Sequence, residues 1–250
     1  MTFFGRSDGG ALSDIELAAE IAEGAGRILQ SIRHGSLLDD GVLGDTGDRL
    51  AQAWIARVLR RHRPDDAVLS EEAPDSTERL SAERVWVIDP LDGTRDYAAH
   101  RPDYAVHVAL TQGGQPVHSA VSLPAMDRVF RSDTVTAPTG TLTGNLALSR
   151  SRATPGMFRV AESLGLTPVS LGSAGVKTMA VVTGQVDVYL HAGGQYEWDS
   201  CAPVGVARAA GLHCSRLDGS ELSYNNPDPY LPDLVVCRPE LAEKVLDALN

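Results

Sequence analysis

Apolar positions along this chain of 250 residues recur with two periods, and each period predicts a different kind of element. Ser13-Asp14-Ile15-Glu16 has the form of a capping box, with Ser13 as N-cap and Glu16 three places on. Behind it Leu17, Ile21, Ile28 and Ile32 return at helical spacing until Gly35 stops the run. Gly35, Gly41, Gly44 and Gly47 then predict a loop or weak hairpin over 35–47. A second helix is expected from Asp48 to Pro64, with Leu50, Trp54, Val58 and Leu59 on one side. At that start Asp48 would complement the positive end of the helix. Residues 1–12 are glycine-rich and expected to be loose.

Short β-prone runs follow at 67–70, 85–88, 104–111, 117–123 and 129–131, with Gln112-Gly113-Gly114-Gln115 as a hairpin turn. The Pro- and Gly-rich stretch 137–144 is the expected boundary between halves. Beyond it strands at 146–149, 168–171, 186–190 and 234–237 alternate with helices at 155–164, from 172 to 182, at 200–210 and after Pro239. The pattern predicts an α+β subdomain over 1–136 that carries the acidic motifs. An α/β subdomain over 137–250 completes the site.

Charge narrows the partners. Thirty-three acids against 22 bases leave a net charge of −11, which argues against nucleic acid or an anionic membrane. No apolar run reaches membrane-spanning length, and Met1 to Gly10 lacks the pattern of a signal peptide. Cys201, Cys214 and Cys237 form no Cys-x-x-Cys pair, so they read as reduced thiols of a cytoplasmic protein.

Candidate chemistry gathers around Val85-Trp86-Val87-Ile88-Asp89-Pro90-Leu91-Asp92-Gly93-Thr94. An apolar strand runs into two acids three places apart, across a turn stiffened by Pro90 and bent at Gly93. Two carboxylates brought together repel unless a cation sits between them. An acidic turn with one Asp capping the next helix is the plain alternative. Glu71 and Asp199 also stand at or just beyond predicted strand ends, where open α/β sheets collect their sites. Glu72 follows Glu71 directly, so at most one of the pair faces the site. Four oxygen donors without a His/Cys set favour Mg2+ over zinc. Two or more such ions suit attack of water on a phosphate ester. Amides after Gly93 and Thr94 would hold the phosphate oxygens.

Ser70-Glu71-Glu72, then Trp86-x-Ile88-Asp89-Pro90-Leu91-Asp92-Gly93-Thr94, then Trp198-Asp199-Ser200-Cys201-Ala202 resembles the inositol monophosphatase superfamily of lithium-sensitive, magnesium-dependent phosphatases. The resemblance spans about 13–250. It implies a layered α-β-α-β-α sandwich, two or three Mg2+ ions and a homodimer. It also implies that Glu71, Asp89 and the Leu91 carbonyl hold one metal, and that Asp89, Asp92 and Asp199 hold the second. Glu71 with Thr94 would position the attacking water, Asp48 would hydrogen-bond Thr94, and the Gly93 and Thr94 amides would cradle the phosphate.

Arg95-Asp96-Tyr97 and Gly172-Ser173-Ala174-Gly175-Val176-Lys177 are similar to the CysQ-type branch of that superfamily, as is Gly193-Gly194-Gln195-Tyr196-Glu197. That branch removes the 3′-phosphate of 3′-phosphoadenosine 5′-phosphate in sulfur assimilation, with 3′-phosphoadenylyl sulfate as a further substrate. The glutamate with which inositol phosphatases hold their sugar is replaced here by Ala192. Arg101, Gly172, Ser173, Lys177 and His191 join Leu91, Asp92, Gly93, Thr94 and Asp199 as candidate substrate contacts. Arg95 and Tyr196 are weaker candidates, and Arg152 replaces a histidine common in relatives and would stack on adenine. Lys177 is expected to present a free ammonium to the second phosphate or the ribose, beside free amides at Gly172 and Ser173. His107 and His118 read as structural, and Trp198 as packing that fixes Asp199. Inositol 1-phosphate, fructose 1,6-bisphosphate and a non-catalytic phosphate-binding module remain the alternatives.

Overall fold

The computed structural model describes residues 11–35 and 37–249. The expected loose N-terminal segment therefore lies, for residues 1–10, outside the described residues.

Helices α1 (Asp14–His34) and α2 (Asp40–His62) come first. The capping box is present, with the Ser13 amide donating to Glu16 at 3.0 Å. A mixed sheet follows, built from β1 (Ala67–Ser70), β2 (Arg84–Asp92), β3 (Ala105–Gln112), β4 (Gln115–Leu123) and β5 (Arg128–Arg131). A short helix, α3 (Thr94–Ala98), interrupts it after β2. The second sheet takes β6 (Asn145–Ser149), β7 (Thr167–Leu171), β8 (Val188–Tyr196), β9 (His213–Ser215) and β10 (Tyr230–Cys237) in the order β7-β6-β8-β10-β9. Between and beyond these strands run α4 (Pro155–Ser163), α5 (Ala174–Val182), α6 (Glu197–Ala209) and α7 (Ala242–Leu249).

Strand alternation builds the layers. Trp86, Ile88, Val106, Val108 and Leu110 face α1 and α2 and meet Leu17, Ile21, Leu29 and Ile55. Their neighbours Val85, Val87, Ala105 and Ala109 point the other way, into a middle layer with Val176, Met179, Val204 and Val206 of α5 and α6. Tyr189, Leu234 and Val236 of the second sheet close that middle layer from the far side. Leu190 and Val235 turn outward to Met157 and Val160 of α4 and Val245 of α7. Period-two alternation on both sheets thus produces the expected α-β-α-β-α stack, because each strand face needs its own apolar cover.

The expected loop over 35–47 is wrong beyond residue 39, because α2 starts at Asp40 and runs through Gly41, Gly44 and Gly47. Two of those glycines allow close approach rather than chain reversal. A Cβ on Gly47 would lie 2.9 Å from the Tyr97 ring and 3.1 Å from Leu29, and one on Gly44 3.0 Å from Thr94. The helix is also rotated from the expected face: Leu50 and Trp54 are exposed, while Leu43, Gly47, Asp48, Ala51, Ile55 and Leu59 are buried. Gly47→Ala should therefore destabilise the protein by about 1–3 kcal/mol despite the better helix former, since a well-packed core resists an added methyl. Gly41→Ala meets nothing within 4 Å and should cost nothing, with a gain of up to about 1 kcal/mol. Thermal unfolding of the pair checks this; equal shifts would remove the packing argument.

Smaller differences lie in the second half. The strand expected at 186–190 continues to Tyr196, α6 starts at Glu197 instead of 200, and β9 was not foreseen. Pro239 opens a 3-10 turn (Pro239–Leu241) ahead of the last helix.

Candidate active site

The two central acids are not on a turn. β2 continues through Asp92, and its pairing with β3 slips between Asp89 and Asp92: Asp89 sits opposite His107, and Asp92 opposite Ala105. Three steps on one strand match two on the other, which is a β-bulge at Pro90-Leu91. Residues three apart on a regular strand point to opposite faces. The extra residue lets Asp89 and Asp92 face the same place. Gly93 then leaves the strand at φ +91°, where a Cβ would strike the Asp103 carbonyl oxygen at 2.6 Å.

Asp199 reaches the same point from the first turn of α6, where its carboxylate also accepts the Tyr196 amide at 2.6 Å. Asp89, Asp92 and Asp199 each offer an oxygen within 4.8 Å of the others. Glu71 arrives from the end of β1, held by its amide on the Ile88 carbonyl at 3.3 Å. Glu71 lines the cleft and Glu72 does not, although both lie in the turn just beyond β1. Burial together with the charges of Asp199, Asp48 and Asp92 pushes the Glu71 carboxyl up to about 8. Burial and Asp92 push Asp199 up to about 6. Asp89, fully buried, is driven well above the carboxylate range by burial and then by Glu71 and Asp92, and its Oδ2 finds no hydrogen-bond partner among the described residues. Crowded, desolvated carboxylates with an orphaned oxygen are the donor set of a hard divalent cation.

Asp92 differs from its neighbours. It accepts hydrogen bonds from the Ser173 hydroxyl and, at 2.7 Å, from the Gly175 amide, and His107 Nε2 lies 3.3 Å away. Burial alone would raise its pKa. The charges and hydrogen bonds of His107, Lys177 and Ser173 outweigh burial and hold Asp92 below the usual range.

Asp48 is not at a helix start. It lies inside α2, one turn beyond Gly44 on the buried face, and its Oδ2 is 3.2 Å from Thr94 Oγ1. Thr94 Oγ1 is also 3.0 Å from the Leu91 carbonyl oxygen. A hydroxyl carries one proton, so it donates to one of these acceptors at a time. Burial and the charge of Glu72 push Asp48 up to about 7.

Glu71, Asp89, Asp92, Thr94 and Asp199 floor a cleft of about 290 Å3 whose other walls include Gly172, Ser173, Lys177, His191, Gln195, Arg95, Arg150 and Arg152, while Asp48 lies behind Thr94 outside it. A model of the inositol monophosphatase family matches residues 14–250 of the chain. The chain belongs to the inositol monophosphatase family. Among curated relatives, the 3′-phosphoadenosine 5′-phosphate phosphatase of Mycobacterium leprae is 52% identical over 96% of this chain and 94% of its own length. The 3′(2′),5′-bisphosphate nucleotidase CysQ of Escherichia coli is 27% identical over 87% of this chain and 96% of its own. In fold the chain is similar to CysQ from Bacteroides thetaiotaomicron, with TM-score 0.79 and 24% identity over 89% of this chain and 96% of the other. Inositol monophosphatase from Anabaena is as similar, at TM-score 0.78 and 24% identity over 94% of each chain.

Several expected contacts change on this family scaffold. Arg101 does not line the cleft; it is exposed and paired with Asp96 at 3.0 Å. Arg150 takes the place at the mouth, bridging Asp96 at 2.5 Å and Asp103, so one guanidinium joins the two halves of the chain. Of the two amides expected to be free at the start of α5, that of Gly172 is engaged, donating to Asp103 at 3.0 Å, and two places beyond Ser173 the Gly175 amide donates to Asp92. Ser173 (φ +52°) uses its hydroxyl on Asp92 and on the Val176 amide. Nor is Lys177 a free ammonium. It is 4% exposed, hydrogen-bonds the Ser173 carbonyl and sits 5.2 Å over the Tyr189 ring, and burial lowers its pKa to about 8.

Lys177 is thus a charge partner of the acid cluster, because its positive charge helps hold Asp92 ionised. Lys177→Met should lower kcat/KM by about 10- to 150-fold, the worth of one charge-assisted hydrogen bond. The loss should fall alike on a bisphosphorylated nucleoside and on inositol 1-phosphate. A loss confined to the bisphosphate would restore the second-phosphate role.

His107 is structural, as expected: its Nδ1 lies 3.1 Å from the Trp198 carbonyl oxygen and its Nε2 faces Asp92, so it ties the Trp-Asp turn to β2. The signal in the sequence was a lone histidine in the apolar run Tyr104–Thr111.

Proposed function

We propose that this family member is a Mg2+-dependent phosphomonoesterase that hydrolyses the 3′-phosphate of 3′-phosphoadenosine 5′-phosphate to give AMP and phosphate, with 3′-phosphoadenylyl sulfate as a further substrate. What supports this reading is 52% identity to a phosphatase of that name over nearly the whole chain, with Glu71, Asp89, Asp92, Thr94 and Asp199 all in place. In this proposal Glu71, Asp89 and the Leu91 carbonyl hold one Mg2+, and Asp89, Asp92 and Asp199 a second. When bound, the ions supply Lewis acidity that makes water a better nucleophile and stabilises charge on the leaving oxygen. Thr94 Oγ1, donating to Asp48, turns a lone pair to the water, and Glu71 takes the water's other hydrogen bond. Gly93 and Thr94 amides hold the phosphate oxygens. The water oxygen bonds to phosphorus as the water gives up one proton, the bond to the ribose 3′-oxygen breaks, and that oxygen takes up one proton, so the exchange balances.

A cytoplasmic location fits the three free cysteines. Among the described residues no helix is long and apolar enough to cross a membrane. Nucleic acid and anionic membrane are disfavoured by the charge of −11. The homodimer belongs to the same proposal, and sedimentation tests it. The decisive assay compares kcat/KM for 3′-phosphoadenosine 5′-phosphate, inositol 1-phosphate and fructose 1,6-bisphosphate, with Mg2+ and with excess chelator. Preference for either of the last two would replace the nucleotide, turnover in chelator would remove the metal, and no phosphate release at all would leave a binding module.

A further inference from the structure

One wall of the cleft carries a side chain that neither the metal cluster nor the ion pairs use. Gln195 lines the cleft on β8 and is 3% exposed, and neither its Oε1 nor its Nε2 has a hydrogen-bond partner among the described residues. Two other polar side chains of the cleft, His191 and Arg152, turn to the backbone instead. His191 Nε2 lies 2.9 Å from the Gly194 carbonyl oxygen, and Arg152 Nη1 donates to the same oxygen at 3.4 Å. A buried primary amide with two free donors and a free acceptor is rare in a folded protein, because each unmade hydrogen bond is costly there.

The local backbone is built to present this side chain. Gly193 and Gly194 both take positive φ, +93° and +91°, and the pairing of β8 with β10 slips between Leu231 and Asp233, opposite these residues. At φ +91° any residue but glycine is strained at position 194, and a Cβ there would also meet the Tyr230 hydroxyl at 2.4 Å. Two left-handed residues and a bulge re-aim a strand, and such features mark sites rather than defects.

We infer that Gln195 is the specificity-determining residue for the base, pairing its amide with an edge of adenine. Adenine sets an amino donor beside a ring-nitrogen acceptor, N6 with N7 or with N1. A carboxamide offers the matching acceptor and donor, the pairing by which glutamine reads adenine elsewhere. This rests on the nucleotide reading above and adds to it which atoms recognise the base. Oε1 accepts from N6, and Nε2 donates to the ring nitrogen.

The test compares kcat/KM for 3′-phosphoadenosine 5′-phosphate with that for the 3′,5′-bisphosphate of purine riboside, which lacks only the 6-amino group. Wild type should prefer adenine by roughly 5- to 150-fold, the range of one bidentate amide–base pair. In Gln195→Leu the preference should collapse toward one, through a slower adenine substrate. Wild type that hydrolyses both compounds equally well overturns the inference and leaves the nucleotide reading standing. So does a variant that slows both to the same degree, since a structural role would act on both. Wild type that hydrolyses neither compound but takes inositol 1-phosphate overturns the nucleotide reading and the inference with it. If the leucine variant does not fold, Gln195→Met carries the same comparison, and the wild-type preference is decisive alone.

Discussion

Asp89→Asn and Asp92→Asn should both reduce phosphate release to background, yet shift the stability of the metal-free protein in opposite directions. Like-charge repulsion by itself favours removing a charge from the cluster, and on that ground Asp92→Asn should stabilise the unliganded fold. The structure reverses that expectation for Asp92. Its carboxylate accepts from Ser173 and Gly175 and faces His107, and the surroundings favour its ionised form. All three contacts fall on one oxygen, Oδ2, so an amide there can still accept but loses the charge that strengthens those bonds. The cost is about 1.5–3 kcal/mol for one such bond. Asp89 is the opposite case. It is fully buried, its Oδ2 has no partner among the described residues, and its neighbours Glu71, Asp92 and Asp199 raise the cost of its charge. A neutral amide of the same shape removes that cost, so Asp89→Asn should melt higher than wild type in chelator. Thermal unfolding without metal, beside a phosphate-release assay with Mg2+, checks both halves. Two shifts of the same sign would mean that like-charge repulsion alone governs the cluster.

The second large effect is the response of the metal-free protein to pH. Burial and mutual repulsion raise Asp48 to about 7, Glu71 to about 8 and Asp199 to about 6, and Asp89 upward with them. A carboxyl with a raised folded pKa keeps a proton that the unfolded chain has already released. From an unfolded pKa near 4 to folded values of about 6–8, the folded state therefore binds more protons, and stability falls as pH rises. Asp92 is depressed instead, and its contribution is complete above its unfolded pKa, so it stays flat across this window. In chelator the melting temperature should drop steadily from about pH 5 to pH 8. Mg2+ at about 100 times its Kd should add about 2.7 kcal/mol, or roughly 5–10 °C for a chain of this size. The gap between the two curves should widen with pH, because metal binding releases protons. A metal-free curve that rises over the same interval would show that these carboxyls are ionised and paired in the fold.

Most of the element order is decided locally. The capping box at Ser13, the two-residue glycine turn at Gly113-Gly114 and the alternation in β2 and β3 act through neighbouring residues, and each is legible where it stands. The identity of the acids was legible too, because Asp-Pro-Leu-Asp-Gly-Thr and Trp-Asp are contiguous motifs. Tertiary structure decided what those motifs face. Glycines at 44 and 47 look like loop residues until Thr94 and Tyr97 pack against them, so α2 was begun too late and Asp48 was placed on the wrong turn. The bulge that brings Asp89 and Asp92 to one face depends on where β3 pairs. Whether Lys177, the amides around Gly172 and Arg101 are free or engaged depends on carboxylates and carbonyls that long-range folding brings to them: Asp92 and Asp103 for the amides, Asp96 for Arg101. The same holds for Gln195, whose importance lies in the partners it lacks, and no window of sequence contains that information.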